Sequence, residues 1–305
     1  MNHVFEWFGF AAEDQSDIAA RTAESQTCPF VPGPCSKRAS GGACSVSIAN
    51  VPVTICPKRM YFDDFAVLRQ VAEIAFKDLD VQVGADDLPL LVPGAQVKVH
   101  ASNSGRNRVG VFGQGWQNSG EIKLPPAMPE GGEYSIDYVL VAVDPTGALL
   151  SFAPVEVQTI DISNSYRESI SQLQEDRTIR SSQFGMNWEN VNKRILPQLI
   201  VKGLMLQAER LCSSGIFFIT PEPVFDRIMT RLGGIERLRI IPTQPGSITF
   251  MRYQQQASGW MAGAPIPVGS LHPLTISTSD MSIAFISPLH LPPAGSYESR
   301  IQNRL

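Results

Sequence analysis

The chain has 305 residues, 43% of them hydrophobic and 18% charged, with a formal net charge of −4. This balance is that of a folded chain and excludes a uniformly basic nucleic-acid coat, although basic side chains can still cluster in a cleft while acids occupy the far surface. No apolar run reaches the ~18 residues of a membrane span, and the start MNHVFEWFGFAAEDQSDIAA lacks a basic region followed by an apolar one, so the expectation is a cytoplasmic protein with reduced thiols and no membrane partner.

In chain order, residues 1–22 predict a short helix around Asp17–Thr22. Residues 23–60 are dense in Cys, Pro, Gly and Ser, which break regular structure repeatedly. Such a segment buries little by itself and needs a metal or a partner surface. It defines an N-terminal unit, residues 1–60, ahead of a main unit, residues 61–305. Residues 61–77 predict a helix, with Phe65, Leu68, Val71, Ala72 and Phe76 at helical spacing and Asp63 and Asp64 in its first turn. VKVH (97–100) alternates like a short strand, and VGVF (109–112) predicts another. Two strong strands follow, 133–144 and 148–163, joined by the turn residues Asp144, Pro145 and Gly147. Residues 164–187 read as irregular or partly helical, and 188–212 as one helix. A strand over Ile216–Thr220 precedes a β-rich tail with strands in LRIIP, SITFMRY, PLTIST and SIAFISPL. Helices and strands interleave, which predicts a layered α/β fold.

Four of the five cysteines, Cys28, Cys35, Cys44 and Cys56, fall in the loop-rich segment at spacing C-x6-C-x8-C-x11-C. Gathered thiols in a reducing compartment point to metal, and four thiolates suit tetrahedral zinc or iron in a closed, structural site. Unlinked buried thiols, or disulfides in an exported protein, are the alternatives. Cys212 stands apart, near the end of a predicted helix, as a core thiol. Ser36, Lys37, Arg38, Lys58 and Arg59 flank the cluster, where they either touch DNA phosphates or brace the fold.

The chemistry-bearing constellation lies on the predicted hairpin. Tyr138, Leu140 and Ala142 share one face of its first strand, and Asp137, Val139, Val141 and Val143 the other. A simple register sets position 137 opposite roughly 154–156, so Asp137 and Glu156 are cross-strand neighbours. Two carboxylates forced together repel unless a cation lies between them, and oxygen ligands suit Mg²⁺. A solvated sheet edge would also place an acid at Glu156. Gln158 shares the strand face of Glu156.

Asp137, eighteen residues, then Glu156-Val157-Gln158 resembles the D…(D/E)xK pattern of the PD-(D/E)XK nucleases, with Gln for the usual Lys and Ile136 for the usual Pro. With four cysteines upstream, and CPF and ICPKR flanking them, residues 25–220 resemble the NotI-type restriction endonucleases. The resemblance implies a mixed sheet flanked by helices behind a small four-cysteine segment. It implies Mg²⁺ held by Asp137 and Glu156, with Gln158 orienting the attacking water or polarising the phosphate. It further implies structural iron, or zinc, on Cys28, Cys35, Cys44 and Cys56. The expected protein is a bacterial type II restriction endonuclease. It acts as a homodimer on double-stranded DNA at a GC-rich palindrome and is paired with a DNA methyltransferase. A low-specificity repair or defence nuclease and a non-catalytic metal-stabilised DNA-binding protein are the competing readings.

Base readout most often uses Arg on guanine. The candidates are Arg106 and Arg108 in one loop and Arg177 and Arg180 in another. Glu73, on the helix before the hairpin, is a further candidate carboxylate or a solvated helix residue.

Overall fold

A computed structural model describes residues 2–124, 126, 133–163, 166–289 and 291–305. The first 60 residues are more regular than their composition suggests. Strands β1 (His3–Trp7), β2 (Phe10–Ala11), β3 (Ala43–Ile48) and β4 (Val51–Thr54) form an antiparallel sheet in the order β2-β1-β3-β4, and α1 (Asp17–Ser25) lies between β2 and β3. The β3–β4 hairpin turns through Ala49 and Asn50, both at positive φ, as a tight hairpin turn requires. The alternation C-S-V-S-I carries that strand signal beneath the surrounding glycines and prolines.

Helix α2 (Phe62–Ala75) follows close to its predicted bounds, but Asp63, Asp64 and Phe65 adopt left-handed φ/ψ, so the two acids do not sit in a regular first turn. Strand β5 (Leu91–Pro93) leads into α3 (Val97–Ser104). VKVH is therefore helix rather than strand. Val97 and Ala101, four apart, are buried, whereas Val99 is exposed, and four alternating residues are too few to fix a period. Strand β6 (Arg108–Gly113), the short ribbon β7 (Lys123–Leu124) with β8 (Tyr134–Ser135), and the hairpin β9 (Tyr138–Val143) and β10 (Leu149–Val157) come next. The Asp144 carboxylate holds the hairpin turn by accepting the Thr146 and Ala148 amides.

The predicted strand 148–163 ends earlier, at Val157. Beyond it β11 (Ile162–Ser163) pairs with β12 (Gly185–Met186), enclosing α4 (Arg167–Asp176). The predicted helix 188–212 is a π-turn over Val191–Ile195 followed by α5 (Leu196–Leu206). Then come β13 (Ile216–Pro221), α6 (Glu222–Leu232), β14 (Ser247–Gln255), β15 (Val268–Ser270), β16 (Leu274–Ser277), α7 (Thr278–Ile286) and α8 (Ser296–Gln302). Two tail expectations fail. LRIIP contributes only an isolated bridge, Ile240 to Ile276. SIAFISPL is mostly helix, because the Ser277 hydroxyl caps α7 by accepting the Ser279 and Asp280 amides and Met281 and Ala284 bury at helical spacing.

The main sheet runs β5-β6-β9-β10-β13-β14-β15, with β16 also paired to β14. The β5–β6, β10–β13 and β13–β14 pairs are parallel and the rest antiparallel, giving a mixed sheet. Helix α2 covers one face, where Val67, Leu68 and Val71 meet Tyr138, Leu140, Ala142 and Val155. Helices α5, α6 and α7 cover the other, where Leu196, Leu199, Ile228 and Met281 join Val139 and Val141. The fold is α/β, a mixed sheet flanked by helices. Val4, Trp7 and Val46 of the N-terminal sheet belong to the same core cluster as α5–α7. Arg59 reinforces this junction. It is fully buried, pairs with buried Glu6 at 2.8 Å and donates to the Ile266 carbonyl, while its guanidinium lies over the Phe30 ring. Among the described residues no helix is long and apolar enough to cross a membrane.

Candidate active site

The β9–β10 hairpin brings Asp137 and Glu156 together. Val155 pairs with Tyr138, so continuing the register sets Glu156 opposite Asp137. The two residues interlock. The Val157 amide donates to Asp137 Oδ2 at 2.8 Å, and the Asp137 amide donates to the Glu156 carboxylate. Each carboxylate thus takes up a backbone N–H where the ladder ends. Gly113, opposite Tyr138 on β6, lets the strands close here, since a Cβ would stand 2.2 Å from the Tyr138 ring and 2.6 Å from the Asp137 carbonyl.

Burial dominates the electrostatics. It raises the Asp137 pKa, against lowering by the Val157 amide and Lys202. It pushes Glu156 up to about 7, with the neighbouring Asp137 charge adding to it and Lys202 opposing it. Glu121 is exposed but close enough to raise Asp137 slightly further. A carboxylate pair under mutual repulsion in low dielectric suits a hard divalent cation. Mg²⁺ binds through one or two carboxylates and otherwise keeps water or substrate phosphate, so the donor set fits it.

Gln158 lies just past the end of β10, and its side-chain amide donates to the Thr159 carbonyl at 2.6 Å. The residue that reaches the pair is Lys202 of α5, whose Nζ is 2.6 Å from Glu156 Oε1. Sequence reasoning missed it. The available signal was its position on the buried stripe of α5, three residues after Leu199 and four before Leu206. Glu73 is exposed on α2, over the opposite sheet face.

The four cysteines stand as two pairs. Cys28 and Cys35 flank a turn closed by the Cys28 amide donating to the Gly33 carbonyl and by the Thr27–Pro34 bridge. Cys44 and Cys56 flank the β3–β4 hairpin, with the Cys56 amide donating to the Cys44 carbonyl at 3.1 Å. All four are unbridged thiols. Burial raises the pKa of Cys35, Cys44 and Cys56, and the pairs lie within electrostatic reach of one another. The donors are those of a zinc or iron site, but among the described residues no three Cys, His, Asp or Glu side chains converge at metal-holding distance. Cys212 is fully buried, its thiol pushed up to about 12 by burial.

Two of the four candidate DNA-reading arginines are engaged within the fold. Arg108 is buried in β6 and donates to the Gln82 side chain. Arg177 donates to the Asp14 and Ala19 carbonyls and lies over Trp7. Arg106 is exposed beside Asp80 at 3.7 Å, and Arg180 is exposed. Near the cysteines, Arg59 is internal and Lys37 donates to the Ile55 carbonyl, so both brace the fold. No protein-family model matches the chain, and no curated protein matches its sequence significantly.

Proposed function

We propose that the protein is a Mg²⁺-dependent endodeoxyribonuclease of the PD-(D/E)XK type. In this reading it is a type II restriction endonuclease resembling the NotI group, cutting double-stranded DNA as a homodimer at a GC-rich palindrome and paired with a DNA methyltransferase in a bacterial cytoplasm. The observation that carries the reading is the interlocked pair Asp137 and Glu156 on adjacent antiparallel strands of a mixed sheet. Asp137 and Glu156 would hold Mg²⁺, which would supply positive charge for the phosphate and lower the pKa of the attacking water. The sheet fixes both carboxylates before substrate arrives, which is the preorganisation that electrostatic catalysis needs. Cys28, Cys35, Cys44 and Cys56, which stand as two separate pairs, would have to close on one ion to hold iron or zinc, and that ion would brace the N-terminal sheet. Twofold protein symmetry mirrors a palindromic site.

Incubation of plasmid DNA with the protein and Mg²⁺ tests this. Discrete fragments are expected, and none from Glu156→Gln. A smear supports a low-specificity nuclease. DNA binding without cutting, unaffected by Glu156→Ala, supports a non-catalytic DNA-binding protein.

A further inference from the structure

We propose that Lys202 is a catalytic residue of this site, supplying the positive charge that position 158 lacks. The proposal rests on the nuclease reading above. Three observations carry it. Lys202 Nζ lies 2.6 Å from Glu156 Oε1, and the two side chains are only 11% and 15% exposed. Lys202 occupies a place on the core-facing stripe of α5 between Leu199 and Leu206, where an apolar side chain would bury without desolvating a charge. Gln158 is neutral and its amide is committed to the Thr159 carbonyl.

The site thus holds a carboxylate pair and one ammonium, the charge types of an acid–acid–lysine nuclease centre, with the lysine arriving from a helix instead of the strand. Lysine is a compact point charge on a flexible stem. A short swing from Glu156 carries it to a non-bridging oxygen of the scissile phosphate. There its positive charge offsets the charge that builds on the phosphate oxygens. The water oxygen bonds to phosphorus as the P–O3′ bond breaks. One water proton passes to solvent, and the leaving 3′-oxygen takes a proton from solvent, giving a 5′-phosphate and a 3′-hydroxyl. Gly203, the next residue on α5, lets that helix seat closely against α7, since a Cβ there would meet the Thr278 hydroxyl at 2.7 Å. Lys202 is therefore anchored on a tightly packed element.

The test compares wild type, Lys202→Met and the double variant Lys202→Met/Gln158→Lys. Lys202→Met should slow single-turnover cutting with Mg²⁺ by roughly 100-fold or more, the scale of losing one preorganised electrostatic group. Calorimetry with Ca²⁺ and no DNA should show metal binding unchanged or tighter, because a competing cation has gone. The double variant, with a lysine at the strand position, should recover at least about tenfold of the loss. Thermal melts verify folding, and Lys202→Gln replaces the Met variant if the latter does not fold. Cutting by Lys202→Met within about threefold of wild type overturns the proposal. So does a folded double variant no faster than Lys202→Met. A wild-type protein that cuts no DNA overturns the nuclease reading itself, which separates the two failures.

Discussion

Glu156 and Lys202 form a 2.6 Å ion pair between the end of β10 and the buried stripe of α5, and Asp137 lies across the ladder from the same carboxylate. The pair leaves one carboxylate charge in excess at a site shielded from water. That excess is what a divalent cation would neutralise.

Asp137→Asn and Glu156→Gln should each abolish Mg²⁺-dependent cutting, by about 1,000-fold or more, if both carboxylates hold the cation. Their stability should differ. Asp137→Asn relieves the repulsion on Glu156 and keeps Lys202 paired. Glu156→Gln strands the Lys202 ammonium but also removes a carboxylate whose ionisation burial disfavours, so its net cost in metal-free buffer at pH 7 should stay below the ~3 kcal/mol of a fully broken buried pair. Cleavage assays together with urea melts read both effects.

The raised pKa of Glu156 sets a pH dependence for the metal-free protein. The unfolded chain ionises Glu156 near its ordinary value of 4.5, and the folded chain near about 7. The folded state binds the extra proton between these values, so this group's contribution is fully present below pH 4.5 and is lost as pH rises through 7. The melting temperature in EDTA should fall across that window by more for wild type than for Glu156→Gln. Added Ca²⁺ should raise it again at pH 7.5. Equal slopes for the two proteins would contradict the assignment.

Arg59 and Glu6 carry the junction of the two sheets. Arg59→Met leaves the buried Glu6 carboxylate without its partner and should cost ~3–5 kcal/mol in urea denaturation. Adding Glu6→Gln should recover part of that loss, because it removes the unpaired charge.

The hairpin was legible because its signals are local. Long β-branched runs and an Asp-Pro-Thr-Gly turn fix its register, and the register places Asp137 against Glu156. Lys202 was not legible in that way. It is forty-six residues from Glu156, and only the packing of α5 on the sheet brings them together. The β3–β4 strands were hidden because their short alternation lies among glycines and prolines. For Arg59 the sequence left DNA contact and bracing of the fold open, because nothing local marks Glu6 as its partner. VKVH and SIAFISPL misled for another reason, since short β-branched runs fit a strand as well as a buried helix turn.

The proposed iron or zinc requires the two cysteine pairs, which do not converge at metal-holding distance among the described residues, to close on one ion. Elemental analysis of the purified protein should find about one iron or zinc per chain, and Cys44→Ser should lose it and melt at lower temperature. Protein free of both metals and melting unchanged after Cys44→Ser would contradict a structural centre.

The most direct measurement of the central claim is digestion of a sequenced genome with the protein and Mg²⁺, followed by sequencing of the fragment ends. The account predicts that the ends share one short palindromic sequence and that Glu156→Gln produces none. Ends scattered at random, or no ends at all from wild type, would contradict it.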